Sequence, residues 1–330
     1  MCKNRDNQNQ PLSDQQLTHF VNEGYLVARG LLDVDLDLQP VVAEYEAKLD
    51  TILAAWQAEG LIVESWDELS FGERITRIVS ETDLDYSQPL DISLPLSNVT
   101  ESTPFHTGPA IFSLLRSPRL LAAVEQFIGP EIYSNPVQHV RIKPPESALP
   151  KGFSNNSLIN HTPWHQDMGV IHEEADESNI LTVWLCITEA TEENGCMVVV
   201  PRSHKGHLAL HCPIAGNSVT IPESRITGDP LHVPMQPGDV LFMTSTTMHT
   251  SLRNVSDGIR WSFDLRYNPI GEKTGRPWFP GFVAQSVENP EDELHDADDW
   301  AEMWEETRRY LASNQTPVPT RWDPNAIGCA

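Results

Sequence analysis

The sequence predicts a mainly β protein with flanking helices and an antiparallel sandwich or jelly-roll core. Two observations support this fold class. Apolar residues recur at helical spacing mainly before residue 130 and after residue 290. Between these regions, short segments rich in Val, Ile, Thr and aromatic residues alternate with turn signals such as "ENG", "PGD" and "SDG". Many short strands separated by turns are typical of antiparallel sandwiches and barrels, and not of βαβ units.

Helices are predicted at both ends of the chain. Ser13 and Gln16 form a capping-box pattern that begins the helix "SDQQLTHFVNEGYL". Residues 37–59 repeat apolar side chains at helical spacing, and 117–129 form a short helix that ends at Gly129. A Pro- and Gly-rich stretch, 271–290, is predicted to be a long loop. A last amphipathic helix is indicated by Leu294, Ala297, Trp300, Trp304 and Leu311.

The strands are predicted in five segments: 131–143, 179–190, 196–204, 239–255 and 259–268. We expect a single domain over residues 1–330. It would comprise a mainly helical region with a lid at 12–130, a β-barrel core at 131–270, and a C-terminal loop and helix at 271–330. Within it, residues 60–110 and the loop 146–160 are predicted to help form a lid over the site. Such a lid would contribute to substrate specificity.

Composition narrows the choice of partner. The chain has 330 residues and a formal net charge of −25 at pH 7, which disfavours binding to nucleic acid or to anionic membrane surfaces. Ten carboxylates lie within 288–306, predicted to be a solvated helix face. The sequence has no apolar run of about 18 residues, so no membrane span is expected. We predict a cytoplasmic monomer or homodimer that acts on a small-molecule substrate.

The cysteines do not suggest a metal or disulfide framework. The five cysteines are scattered, and no C-x-x-C pair occurs among them. An odd and dispersed set predicts reduced, incidental thiols, and it disfavours a zinc site built from thiolates.

The stretch "HTPWHQD", residues 161–167, is the first candidate site. His165 and Asp167 are two residues apart, so on a strand they would share one face and could reach one ion. His249, in "TMHTSLRN", is the best candidate for a third ligand. Two histidines and one carboxylate, with coordination positions left open, form the facial triad of non-haem Fe(II) oxygenases. The alternative is a set of polar residues satisfied by hydrogen bonds, since 12 histidines offer many such pairings.

Arg260, eleven residues after His249, favours the metal interpretation. The intervening "SLRNVSDG" is predicted to be a strand end and a turn that folds the next strand back beside that of His249. Arg260 would then lie deep in the barrel, where a buried guanidinium needs an anionic partner. The far carboxylate of 2-oxoglutarate would provide one, and Ser251 would add a hydrogen bond. The alternative for Arg260 is an ion pair with a protein carboxylate.

The chain resembles the phytanoyl-CoA dioxygenase family of Fe(II)- and 2-oxoglutarate-dependent oxygenases over roughly residues 12–285. The resemblance is densest in "KPP" (143–145), "HTPWHQD", "NGCMVVVPRSHKG" (194–206), "PGDVLFM" and the spacing from His249 to Arg260. It implies a double-stranded β-helix core, which is jelly-roll or cupin-like. It also implies Fe(II), 2-oxoglutarate and O2 as the cofactor and cosubstrates.

The resemblance also implies roles for individual residues. The iron ligands are His165, Asp167 and His249, with no catalytic residue beyond the metal centre. Contacts to 2-oxoglutarate are implied for Arg260 and Ser251. Trp184 matches a tryptophan that lines the cosubstrate pocket. His139 falls where the family has another cosubstrate contact, usually not a histidine. Candidate substrate contacts are Arg141, Arg266 and Gln138.

The implied activity is hydroxylation of an unactivated C–H bond in a small metabolite, with release of succinate and CO2. Desaturation, ring closure and epoxidation use the same type of centre. The rival functions are a cupin-like metal-binding protein and a non-redox Zn or Mn enzyme, and a buried Arg260 disfavours both. An acyl-CoA substrate would require a basic patch at the mouth of the site. That patch could be formed by Lys143, Lys151, Arg202, His204, Lys205 and His207.

Overall fold

The computed structural model of the protein describes residues 10–150, 158–159, 161–214, 218–314, 316 and 321–329. Its strands are β1 Tyr25–Ala28, β2 Ile132–Lys143, β3 Leu181–Cys186, β4 Met197–Val199, β5 Cys212–Ile214, β6 Ser218–Thr220, β7 Leu231–Val233, β8 Val240–Thr244, β9 His249–Ser251, β10 Arg260–Pro269 and β11 Phe282–Gln285. Its α-helices are α1 Asp14–Glu23, α2 Gln39–Ala58, α3 Phe71–Glu81, α4 Ser87–Leu90, α5 Pro109–Leu115, α6 Pro118–Ile128 and α7 Ala297–Ser313.

The strands form two facing antiparallel sheets. The larger sheet has the order β1-β8-β3-β10-β2-β11, and the smaller has the order β7-β4-β9. An isolated bridge between His165 and His249 extends the smaller sheet, and β5 pairs with β6 separately. This arrangement confirms the predicted mainly β jelly-roll class with flanking helices.

Side-chain alternation divides the large sheet into two chemically different faces. The outer face presents Val183 and Phe263, which pack with helices α2, α3, α5 and α6 in the main hydrophobic core. The inner face presents Trp184 and Asp264 towards the small sheet. Because helices cover the outer face, the space between the sheets is left for a polar site.

The predicted helices are confirmed, with two boundaries corrected. The last helix, α7, begins at Ala297, so Leu294 lies before it. Ser13 caps α1 through a complete capping box with Gln16. The helix ends at Glu23 rather than continuing through "YL", because Gly24 adopts φ +84° and Tyr25 begins β1. In the C-terminal helix α7, Trp300 and Trp304 are fully buried.

Residues 60–110, predicted to be a lid, contain helices that the sequence pattern did not predict. Ser70 begins α3 with a second capping box, and Phe71 stacks on Trp261 at 4.7 Å between ring centroids. The hydroxyl of Tyr86 donates to the carbonyl of Ile142 at 2.7 Å. These contacts place the 71–86 part of the segment against the outer face of the large sheet. Residues 151–157 and 160 of the second predicted lid lie outside the described residues.

The predicted path from His249 to Arg260 is wrong in its topology. Strand β9 pairs with β4 in the small sheet, whereas β10 pairs with β2 and β3 in the large sheet. The segment between them crosses from one sheet to the other. The side-chain amide of Asn254 holds this crossing by donating to the carbonyls of Lys143 and Gly258, at 2.9 and 2.8 Å. Arg260 therefore faces His249 across the sandwich.

Two further predictions are corrected. The stretch 271–290 is not only loop, because it contains β11, which pairs with β2. The thiols are not all incidental, because Cys212 and Cys329 form a disulfide across a sequence separation of 117 residues. Cys186 and Cys196 are free and buried. The spacing of the cysteines could not reveal this pairing, because it depends on where the fold places Cys329.

Within the described part of the chain, no helix is long and apolar enough to cross a membrane. The cytoplasmic location, the single-domain organisation and the oligomeric state remain predictions.

Candidate metal centre

His165, Asp167 and His249 converge on one point between the two sheets. One potential ligand atom from each residue lies within 4.8 Å of the other two, and all three residues are buried. The two imidazole centroids are 4.1 Å apart, and His165 Nε2 is 3.8 Å from Asp167 Oδ1. The three predicted ligands thus form the two-histidine, one-carboxylate set that suits Fe(II).

Backbone pairing positions these ligands, but the H-x-D pair does not lie on a regular strand. His165 and His249 exchange both backbone hydrogen bonds, at 3.0 and 2.9 Å. Asp167 then begins the 3-10 turn Asp167–Val170. The expected strand alternation is therefore replaced by a bridge followed by a turn, which still directs both side chains towards one point.

Hydrogen bonds set the tautomer of both histidines. His165 Nδ1 lies 2.8 Å from the carbonyl of Pro163, and His249 Nδ1 lies 2.9 Å from that of Thr247. A carbonyl can only accept, so each Nδ1 carries the proton and donates. Both Nε2 lone pairs are left available for a metal, as second-shell hydrogen bonding commonly arranges.

Asp167 is held on both carboxylate oxygens. Thr182 Oγ1 donates to Oδ2, and Arg266 Nη2 donates to Oδ1. Burial alone would raise the pKa of Asp167, but the charge of Arg266 and the neighbouring imidazoles outweigh it and hold that pKa well below its usual range. Arg266, predicted as a candidate substrate contact, is therefore bound to a metal ligand.

The protonation states also favour a metal. Burial, together with His249, lowers the pKa of His165 to about 3. At neutral pH the site thus presents neutral imidazole and ionised carboxylate, the forms that bind a divalent cation.

A cavity between the sheets is lined by two of the three ligands, His165 and His249. The residues that line it are Arg141, Thr162, His165, Thr182, Trp184, Met197, Met243, His249, Arg260, Asp264 and Arg266. This places the predicted Trp184, Arg260 and Arg141 beside the triad.

Arg260 is fully buried, and its hydrogen-bonding capacity is only partly used. Nη1 donates to Ser262 Oγ, whereas Nε and Nη2 have no partner among the described residues. The guanidinium lies over Trp184, 5.6 Å from its ring, and the buried Trp184 Nε1 also lacks a described partner. Burial lowers the pKa of Arg260 to about 10, so it remains charged at neutral pH. Unpaired buried donors of this kind fit an anionic ligand.

Lys143 lies in the site and not on the surface, where a basic patch for an acyl-CoA could have included it. It is 1% exposed, and its Nζ donates to Ser251 Oγ. Burial, with Arg260 and Arg141 nearby, lowers the pKa of Lys143 well below its usual value. The position follows from the strand register, which the sequence alone does not give: Lys143 pairs directly with Arg260 across β2 and β10.

Three described members of the predicted basic patch have partners elsewhere in the fold. Lys143 is buried beside Ser251, whereas Arg202 forms an ion pair with Glu23 at 2.9 Å. His204 Nε2 lies 3.1 Å from the carbonyl of Val21, on the side of α1. Lys151 lies outside the described residues.

The remaining candidate contacts are Arg141, His139 and Gln138, and of these Arg141 lines the cavity. Arg141 donates through Nε to Asp264 and lines the cavity. His139 Nδ1 is 2.8 Å from Asp91 Oδ2, and Gln138 is 2% exposed. Within the described part of the chain, the cavity lining includes neither His139 nor Gln138. Their roles in binding remain predictions.

The comparisons agree with this geometry. The family model described as "Phytanoyl-CoA dioxygenase (PhyH)" matches residues 20–262. A probable phytanoyl-CoA dioxygenase of Caenorhabditis elegans is 28% identical over 177 residues, which cover 51% of this chain and 54% of that protein. The chain thus spans about half the length of this relative. The 1-deoxypentalenic acid 11-beta-hydroxylase of Streptomyces arenae is 26% identical over 81% of this chain and 88% of its own.

A solved structure supports the fold. EvdO2 from Micromonospora carbonacea var. aurantiaca, complexed with 2-oxoglutarate, aligns with a TM-score of 0.51 and 17% identity, covering 82% of this chain and 97% of that chain. The fold, together with a two-histidine, one-carboxylate triad, is the combination expected of a non-haem Fe(II) oxygenase. The chain belongs to the phytanoyl-CoA dioxygenase family.

Proposed function

We propose that the protein is an Fe(II)- and 2-oxoglutarate-dependent dioxygenase that hydroxylates an unactivated C–H bond of a small anionic metabolite and releases succinate and CO2. The observation that best supports this function is the buried guanidinium of Arg260, whose free donors adjoin the triad. A site that only binds a metal has no need of such a group. This disfavours both the cupin-like metal-binding protein and the non-redox Zn or Mn enzyme.

The described residues fit both groups that the activity requires. His165, Asp167 and His249 would hold the iron. Arg260, with Ser251 and Lys143 beside it, would bind the far carboxylate of 2-oxoglutarate. When bound, the metal and the keto acid together supply the oxidation of the C–H bond by O2.

The protein's own contribution is binding, orientation and exclusion of water. Thr182 and Arg266 hold the Asp167 carboxylate from two sides. Trp184, 1% exposed, lies under the Arg260 guanidinium and keeps this part of the cavity apolar. In such a low-dielectric setting the charged hydrogen bonds to a keto acid are strengthened.

Charge in the cavity favours an anionic substrate. Three of the described residues that line the cavity are arginines, Arg141, Arg260 and Arg266. The lining contains one carboxylate, Asp264, and Arg266 also pairs with the carboxylate of Asp167. Counted over these described residues, the arginines exceed the carboxylates by one positive charge. The charges of a divalent metal and of doubly ionised 2-oxoglutarate cancel, so they leave this excess unchanged. A substrate carboxylate or phosphonate would neutralise it.

The surroundings of the predicted basic patch favour a small acid over an acyl-CoA. Lys143 is buried beside Ser251, and Arg202 contacts Glu23 instead. The case for binding the several phosphate charges of an acyl-CoA is therefore weaker. The Streptomyces arenae relative is named for a small acid, which agrees with the proposed class.

The first test is spectroscopic. Anaerobic protein with Fe(II) and 2-oxoglutarate is expected to show the weak visible charge-transfer band of an iron-bound keto acid. Protein with Zn(II) in place of Fe(II) is the control and should show no band, because Zn(II) has a filled d shell. Binding of Fe(II) without any band on addition of 2-oxoglutarate would contradict the proposed activity.

The second test concerns the charge of the substrate. Succinate release in air is expected to increase with some members of a panel of small carboxylic and phosphonic acids, and their products should gain 16 Da. The matched primary amides or neutral esters should not stimulate release, because they cannot neutralise the cationic cavity. Equal stimulation by an acid and its amide would exclude an anionic requirement.

A further inference from the structure

The C-terminal residues 321–329, which we call the clasp, pack against the turn that carries Asp167. Trp322 Nε1 donates to the carbonyl of Gly169 at 2.6 Å, and Arg321 Nη1 donates to that of Met168 at 2.7 Å. Both carbonyls belong to the 3-10 turn Asp167–Val170. The clasp therefore supplies hydrogen bonds to the two residues that directly follow a metal ligand.

A buried histidine connects the clasp to the other side of the same ligand. His211 is 0% exposed, and its Nε2 accepts from the backbone N–H of Gln166 at 2.9 Å. Gln166 lies between His165 and Asp167. The His211 ring stacks on Trp322, with centroids 4.8 Å apart and an interplanar angle of 27°. Clasp and histidine thus hold the backbone on both sides of Asp167.

The contact between these parts is close. A Cβ added to Gly169 would lie 2.3 Å from the His211 ring, so only glycine fits between the turn and the imidazole. Arg321, whose side chain is 8% exposed, also pairs with Asp176 at 2.8 and 2.9 Å. A displaced clasp would leave its place beside the turn open.

The disulfide closes this assembly covalently. Cys212 directly follows His211, and Cys329 lies at the far end of the clasp. One bond therefore joins the two elements that contact the ligand turn. Without it, the clasp would be retained mainly by Arg321, Trp322 and the weaker contact of Arg225 with the carbonyl of Ile327 at 3.3 Å.

We infer that the clasp is a positioning element of the metal centre, and that the Cys212–Cys329 disulfide keeps it in place. Trp322 and Arg321 act through the backbone around Asp167 and do not touch the metal. Reduction breaks the S–S bond: a dithiol donates two electrons and two protons, becomes its own cyclic disulfide, and leaves two protein thiols. The released clasp then orients Asp167 less well, and metal affinity falls. This inference rests on the metal site of the proposed function.

The test measures metal affinity in the 330-residue protein. Air-isolated and dithiol-reduced protein, the latter freed of reductant anaerobically, are titrated with Co(II), whose visible absorption reports binding. We expect the dissociation constant to rise about tenfold or more on reduction, the range typical of changes to groups that orient metal ligands. Cys329→Ser should show the same weak affinity and no response to dithiol. Trp322→Ala should weaken binding, whereas Tyr310→Ala, an exposed aromatic of α7, should not.

The outcomes are distinguishable. Thiol titration of the denatured air-isolated protein should find three of the five cysteines free, and five would overturn the inference. Unchanged Co(II) affinity on reduction would also overturn the inference. If reduction then lowered only the melting temperature of chelator-treated protein, the clasp would stabilise the fold without positioning the metal ligand. Failure of every form to bind Co(II) would refute the metal site as well. If a variant does not fold, the reduced native protein still tests the inference, because it lacks the disulfide without any substitution.

Discussion

Replacing Arg260 by leucine is expected to weaken 2-oxoglutarate binding by at least about a hundredfold, equivalent to about 3 kcal/mol. Arg260 is 0% exposed, and its Nε and Nη2 have no partner in the described part of the chain. In the variant, the far carboxylate of the keto acid would be buried without its counterion. The dissociation constant is measured anaerobically by titrating the Fe(II) protein and following the charge-transfer band.

Two comparisons isolate the cause of this loss. Affinity for Co(II) should change little in Arg260→Leu, because Arg260 contacts Ser262 and Trp184 and no ligand of the triad. Arg309→Leu, which removes an exposed arginine of α7, is the matched control and should bind 2-oxoglutarate normally. If Arg260→Leu binds the keto acid as tightly as the native protein, the assigned cosubstrate site is wrong.

Local spacing was sufficient to predict the centre of the site. His165 and Asp167 are two residues apart, so any extended or turn conformation that directs one inwards keeps the other close. Arg260 was found from its distance to His249 along the chain, although the expected hairpin between them does not exist. Arg260 and His249 still line one cavity, because both strands face the same interior. A buried guanidinium there requires an anion whichever sheet it occupies, and 2-oxoglutarate as that anion stays a prediction.

Features that depend on register or on distant chain segments could not be predicted. Lys143 resembles a surface lysine until the pairing of β2 with β10 places it opposite Arg260. Arg266 appeared to be a substrate contact because its partner, Asp167, lies 99 residues earlier in the chain. The Cys212–Cys329 disulfide is similarly non-local. Periodicity describes one element at a time, and these contacts join elements whose relative positions only the fold determines.

The ion pair of Arg266 with Asp167 leads to the largest expected effect on stability. Both side chains are buried, at 6% and 2% exposure. Arg266→Leu in metal-free protein is expected to lower the free energy of unfolding at pH 7 by about 3–5 kcal/mol, because it leaves a buried carboxylate without its counterion. Urea denaturation in the presence of a chelator measures the change.

The effect has a defined dependence on pH. In the native protein the pKa of Asp167 lies below its value in the unfolded chain. Its ionised form therefore stabilises the fold above the unfolded pKa, and this stabilisation is lost only as pH falls through the lower folded pKa. Without Arg266, burial would raise the pKa instead. The carboxyl would then take up a proton as pH falls, which relieves the penalty. The difference in the free energy of unfolding between the native protein and Arg266→Leu should therefore become smaller as pH is lowered from 7.

A double variant separates charge from packing. Asp167→Asn combined with Arg266→Leu removes both charges and is expected to recover much of the lost stability, because replacing both partners of a buried pair costs less than removing one. If the double variant is as unstable as Arg266→Leu alone, the loss comes from the packing of the arginine side chain. Recovery would show that Arg266 counterbalances the metal-binding carboxylate, which would leave Arg141 as the stronger candidate for the substrate anion.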